Sequence, residues 1–154
     1  MNGVDLEHLR RCIALAAEAV DRGDDPFGSV LVGGDGEVLA ERSNQVVTTD
    51  DPTAHPELAL AIWAARNLDA PARRAATMYT SGEHCPMCAT AHVRAGIGRL
   101  VYVLASPMIA DLLGTSPTID LRVSKIVTAS TVHVDVEGPC HELVYEASAL
   151  FGRR

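Results

Sequence analysis

Aromatic residues make up only 4% of this 154-residue chain, with a single tryptophan, Trp63, and a single lysine, Lys125. A core short of rings must be built from Ala, Val, Ile and Leu, which suits close packing of Ala-rich helices on an aliphatic sheet. The shortage of lysine and a net charge of -7 weigh against a polyphosphate backbone as partner, because gripping one takes clustered cations. Arg10-Arg11, Arg73-Arg74 and Arg153-Arg154 are isolated pairs and read as solvated surface, although distant arginines can still converge into a local patch. No apolar run approaches the roughly 18 residues that a membrane span needs. The first residues, Met1-Asn2-Gly3-Val4-Asp5, are acidic and unlike a signal peptide, so a cytoplasmic location is expected. Four cysteines in such a chain do not imply a disulfide framework. Cys12 and Cys140 read as small buried residues. What is present, 47% hydrophobic and 21% charged residues, fits one globular domain over residues 1–154.

Apolar residues at three- and four-residue spacing predict a helix from Asp5 to Asp21, with Asp5 as its N-terminal cap. Ser29 to Val32 and Glu37 to Glu41 read as a hairpin around Gly33-Gly34-Asp35-Gly36. The glycines are not a phosphate loop, since no Lys-Ser/Thr and no helix follow. A polar connection over 42–54 leads to a helix from Pro56 to about Asn67, with proline in its first turn. Trp63 on that helix reads as core or subunit-contact packing. Residues 71–76 are expected as loop, 77–80 as strand, 86–95 as helix and 99–104 as strand, a parallel unit. Beyond it, 107–113 is expected as helix, 115–120 as loop, 131–136 as strand and 140–151 as a final amphipathic helix. The sum is an α/β fold with a five-stranded mixed sheet between helical layers.

Two short stretches carry the chemistry. His55-Pro56-Glu57 is H-x-E, and Cys85-Pro86-Met87-Cys88 is C-x-x-C, with 27 residues between Glu57 and Cys85. One His and two Cys offer three zinc ligands and leave the fourth coordination position to water. Glu57 is not needed as a ligand and is free to move protons. Both motifs start predicted helices, whose N-termini favour thiolates. The competing reading is a closed structural site with His84 as fourth ligand, but neighbours at a helix start rarely point both side chains at one ion. His92 reads as packing or surface, and His8, His133 and His141 show no metal spacing.

The pair of motifs is the signature of zinc-dependent deaminases, in which a metal-activated water attacks an amino-bearing carbon of a nucleobase. The chain resembles the cytidine deaminase superfamily, most closely its guanine deaminase and tRNA adenosine deaminase branches. Pro26-Phe27-Gly28, Asn44, the run Asp51 to Glu57 and the cysteine pair fall in that family's order, over roughly residues 5 to 105. The resemblance implies a three-layer α/β/α cytidine deaminase-like fold, one Zn2+ per chain, and Glu57 as the catalytic proton carrier. It also implies a homodimer built on helices beside the zinc, to which an Ala- and Leu-rich C-terminal helix could contribute.

Two departures bear on the base. Pro56 stands where the family usually has Ala, removing a backbone N–H that serves a substrate carbonyl. Asn44 then becomes the expected donor, its alternative being a turn cap. His84 stands where the family has Pro, so an imidazole can face the pocket. An acid reading the base edge is expected from Asp120, with Glu142 as the other candidate. Phe27 is expected to back the base. The reaction expected is hydrolysis of guanine to xanthine, with a small-molecule nucleobase as partner. A tRNA wobble adenosine deaminase is the alternative, and cytosine or s-triazine compounds are further substrates. A non-catalytic zinc-stabilised binding module is the reading from outside enzymology.

Overall fold

The computed structural model describes all residues, Met1–Arg154. Its helices are α1 (Gly3–Arg22), α2 (Val46–Thr49), α3 (Pro56–Asn67), α4 (Ala70–Ala75), α5 (Pro86–Ala95), α6 (Ser106–Leu113), α7 (Val123–Thr128) and α8 (Val144–Ala149). A 3-10 turn, Leu150–Arg153, follows α8. Strands β1 (Gly28–Val32), β2 (Val38–Ser43), β3 (Thr77–Gly82), β4 (Arg99–Leu104) and β5 (Asp135–Glu137) form one sheet in the order β2-β1-β3-β4-β5. β1 runs antiparallel to both β2 and β3, while β3, β4 and β5 are parallel.

Strand alternation splits the sheet into two cores. Val30, Val32, Tyr79, Val101 and Val103 face α1 and the C-terminal helix. Leu31, Met78, Leu100 and Tyr102 face Leu60 and Ala64 of α3 and Ala89 of α5. Both faces are covered, so β3 and β4 are buried along nearly their whole length, and β4 is a near-continuous apolar run. Gly28 is demanded by the layer above it: a β-carbon there would sit 2.4 Å from the Cys12 carbonyl oxygen of α1. Cys12 and Cys140 are buried, as expected. No helix is long and apolar enough to cross a membrane.

Several local expectations are corrected. Asn2, not Asp5, caps α1; Asp5 closes a reciprocal capping box by accepting from the Asn2 amide at 2.7 Å. Residues 70–75 form α4 instead of a loop, because Asp69 accepts from the Ala72 amide at 2.8 Å. Helix α7 was not foreseen, and its single turn and a half carries too little periodicity to read. The expected strand 131–136 shrinks to three residues, since the Ser130 hydroxyl accepts from the Val132 amide at 2.8 Å and turns the chain first. The final helix begins at Val144, after the Cys140–Leu143 turn.

Asp5 also has a second task. Its buried carboxylate accepts from Tyr79 Oη at 2.8 Å and from Arg99 Nη1 at 2.7 Å, and Arg99 continues to Glu137 on β5. This network ties α1, β3, β4 and β5 together at one end of the sheet. Arg99 holds the Asp5 carboxyl well below its ordinary value of 3.8. The depressed acid stabilises the fold fully above that value and loses its contribution as pH falls below it. Asp5→Ala is therefore expected to cost about 3 kcal/mol in denaturant unfolding at neutral pH, the cost of breaking a buried pair. The gap to wild type should narrow only below about pH 4, where the unfolded carboxyl begins to protonate.

Candidate active site

The parallel strands β3 and β4 point their C-terminal ends at one rim of the sheet, where ligand sites of open α/β folds lie. Helix α5 starts there from β3, and α3 packs beside it. His55 and Cys85 are the N-caps of these helices, each followed by a first-turn proline and each extended, with ψ of 137° and 165°. Neither side chain caps its own helix, so both project beyond it. Cys88 follows one turn later on the same side as Cys85.

His55 Nδ1 lies 3.7 Å from Cys85 Sγ and 3.6 Å from Cys88 Sγ, and all three donor atoms lie within 4.8 Å of one another. A tetrahedral ion with ordinary Zn–N and Zn–S bonds separates such donors by about 3.6 Å, so the set fits zinc. His84 is not part of it. Its ring is buried away from the cavity, edge-on to His92 at 5.2 Å, and burial pushes its pKa well down. The expectation of an imidazole facing the pocket is thus corrected: the turn into α5 points His84 inward and Cys85 outward. Buried His92 is the packing residue expected.

Glu57 sits in the first turn of α3, buried, with Oε2 3.8 Å from Cys88 Sγ and Oε1 3.4 Å from Thr80 Oγ1. Burial raises its pKa to about 6. Cys85 is pushed down to about 4 by the Cys88 thiol and His55, and Cys88 is pushed up. A bound dication would deprotonate both, since a coordinating thiol is deprotonated outright.

A cavity of about 570 Å³ opens above these residues, within the range usual for small-molecule sites. Phe27 and Asn44 border it, and so does Asp120 on an exposed loop. Asn44 is buried, and its Oδ1 accepts from the Val46 amide at 3.0 Å, so it caps a turn while also bordering the cavity. Phe27 meets Phe151 edge-on at 5.8 Å. Glu142 lies elsewhere, paired with Arg10 at 3.2 Å on the surface. Trp63 packs against the second core. Three charged cavity residues escaped the sequence reading: Asp25, Glu83 and Arg122. Glu83 lay in plain view two residues before Cys85, whereas Arg122 stands in a stretch without pattern.

The opposite shifts of the two thiols make a prediction about the metal-free protein. Cys85 should be alkylated by iodoacetamide at pH 6, well below the ordinary thiol value of 9.0, because its pKa is about 4. Cys88, raised, and the buried Cys12 and Cys140 should stay unmodified when peptides are mapped by mass spectrometry. Equal labelling of Cys85 and Cys88 would contradict the opposite shifts.

Residues 4–140 match the family described as MafB19-like deaminase. A guanine deaminase of Bacillus subtilis is 44% identical over 81 residues, 52% of this chain and 51% of that protein. The chain thus spans about half the length of that relative. A probable cytosine deaminase of Schizosaccharomyces pombe is 30% identical over 141 residues, covering 88% of this chain and 83% of the other. A solved structure from work on A-to-I editing by tRNA:A34 deaminases superposes with a TM-score of 0.69 at 28% identity, over 95% of this chain and 99% of that one. The five-stranded mixed sheet flanked by helices is the cytidine deaminase-like fold. His55, Cys85 and Cys88 are the donor set typical of zinc sites on that fold. The match along most of the chain, on this fold and with this donor set, places the protein in the MafB19-like deaminase family of the cytidine deaminase superfamily.

Proposed function

We propose that the protein is a zinc-dependent hydrolytic deaminase of a free nucleobase or related amino-heterocycle, with guanine to xanthine as its reaction. One observation carries the choice of a free base: Arg122 is the only Lys or Arg bordering the cavity, and its guanidinium is taken up by Glu83 at 2.7 Å. The other charged side chains there are acids, namely Asp25, which pairs with Arg154 at 2.9 Å, Glu57 and Asp120, set among apolar Phe27, Ile109 and Leu113. Such a lining repels phosphate and accepts hydrogen bonds from a base's N–H edge. The guanine deaminase relative supports the same choice. The likeness to a tRNA:A34 deaminase favours wobble adenosine as the second reading, but the charge around the cavity opposes it.

In the proposed reaction His55 Nδ1, Cys85 Sγ and Cys88 Sγ hold one zinc per chain, the cysteines as thiolates steadied by the start of α5. When bound, the ion acidifies a water from a pKa of about 15.7 toward about 7. The Glu57 carboxylate would take a proton from water at the site and pass it to the ring nitrogen beside the amino-bearing carbon as the water oxygen adds to that carbon. It would then carry a second proton, from the newly added hydroxyl, to the amino group, which leaves as ammonia as the C–N bond breaks and the carbonyl forms. Burial suits Glu57 to both roles, because it raises the proton affinity of the carboxyl toward neutral pH. Asn44 is proposed as donor to the base carbonyl, in place of the N–H that Pro56 lacks. Phe27 would back the ring, and Asp120 would accept from its N–H edge.

The proposed assembly is a homodimer through α3, which leaves Ile62 exposed and Trp63 half-exposed. In the C-terminal helix Leu143, Ala147 and Leu150 are buried in their own core, which leaves Tyr145 as its exposed large hydrophobic side chain. Light scattering should read twice the chain mass, and a monomer removes the claim.

The function is tested by ammonia release from guanine, cytosine, adenine, cytidine, adenosine and ammeline with zinc-loaded protein. Guanine should be turned over, and Glu57→Gln should keep its zinc while losing about 10²- to 10⁴-fold in rate. Activity on a tRNA anticodon stem-loop alone would support the second reading. Activity on none, with zinc retained, would leave a binding module.

A further inference from the structure

Glu83 is a buried carboxylate with more donors around it than any other acid at the cavity. Its Oε2 accepts from the Ser106 amide at 2.8 Å, the first residue of α6. Its Oε1 accepts from the Val123 amide at 3.1 Å, the first residue of α7. Arg122 Nε lies 2.8 Å from both oxygens, and Arg122 Nη2 lies 2.7 Å from Oε2. The Glu83 backbone is itself fastened, donating to the Leu104 carbonyl at 2.7 Å.

The segment between these anchors, α6 and the loop to Arg122, is one wall of the cavity. It brings Ile109, Leu113, Ile119, Asp120 and Leu121 to the lining. Within it, residues 116–121 form a single backbone hydrogen bond, Leu121 N–H to Ile119 O at 3.0 Å. Ile119 and Leu121 are exposed, so little core holds them. The loop's position therefore depends on its ends, and both ends converge on one carboxylate two residues from Cys85.

We infer that Glu83 and Arg122 form a positioning pair that sets the substrate-facing wall in register with the metal helix, and so governs base affinity and selectivity. The inference rests on the deaminase reading for its consequence, but not for the anchoring itself. Through Glu83, the start of α5 and the wall residues move as one piece. A base pressed against Ile109 and Asp120 is then held at a set distance from His55, Cys85 and Glu57. Arg122 presents a planar fork that lysine cannot reproduce.

The test uses zinc-loaded full-length protein with Glu83→Ala, Arg122→Ala and Arg122→Lys, and two readouts. Hydrogen exchange over 106–123 should accelerate by about tenfold or more in the two alanine variants, with α3 and α5 unchanged. Zinc content should stay at the wild-type level. For the base that wild type turns over, KM should rise by about tenfold or more with kcat within about threefold. Arg122→Lys should recover only part of either change. Wild-type exchange over 106–123 in both alanine variants would overturn the inference, as would an acceleration spread evenly over α3 and α5. A fall in kcat alone, with the wall still protected, would also overturn it and assign Glu83 to the reaction centre. Should Glu83→Ala not fold, Arg122→Ala decides the matter, since it leaves Glu83 with both backbone donors. If wild type turns over no base, the proposed function fails while the exchange result still decides the anchor.

Discussion

Two helices must begin at the same point in space. That constraint governs this molecule, because three donor atoms from two separate stretches have to meet within the diameter of one ion's shell. The X-Pro pairs His55-Pro56 and Cys85-Pro86 solve the local half of it. Proline opens each helix without a missing hydrogen bond, and it forces the residue before it into an extended conformation that throws its side chain past the helix end. The global half is solved by small residues. Ala61 and Ala64 of α3 and Ala89 of α5 are buried together on the second core, so the two helices approach closely enough for His55 to reach both sulfurs. A larger residue at this seam would separate the helices and with them the donors.

The sheet separates stability from chemistry. At the N-terminal ends of β3 and β4, Asp5, Tyr79, Arg99 and Glu137 form a charged network far along the strands from the donor set. At their C-terminal ends the chain turns outward into α5 and α6, where acids are held for a different purpose. Asp5 and Glu83 are both buried carboxylates bound by an arginine. Asp5 joins strands that pack in any case, whereas Glu83 holds a wall with few other attachments. The same physical device thus gives rigidity at one end and register at the other.

Much of the site was legible because metal chemistry restricts residue type and local spacing together. H-x-E and C-x-x-C are each confined to one helical turn, so their geometry follows from the helix alone. Where reasoning rested on a single residue, tertiary context decided. Asp5 looked like a cap, yet Asn2 takes that place and Asp5 reaches across to Arg99. His84 looked able to enter the pocket, but the interior offered it a place beside His92. Only a place in a loop favours Asp120 over Glu142 in the sequence, and the fold puts the first at the cavity and the second on the surface beside Arg10.

The sequence by itself determined the donor set, the carboxylate beside it, the strand-helix-strand unit and the family, since all of these depend on contacts within a few residues or on a short ordered pattern. Only the tertiary structure decided what lines the cavity. Arg122 lies 39 residues from Glu83 along the chain, and no periodicity announces their pairing. Charge neutralisation inside a pocket is a property of distance in space, and the sheet order β1-β3-β4 that creates this distance is set by packing on both faces at once.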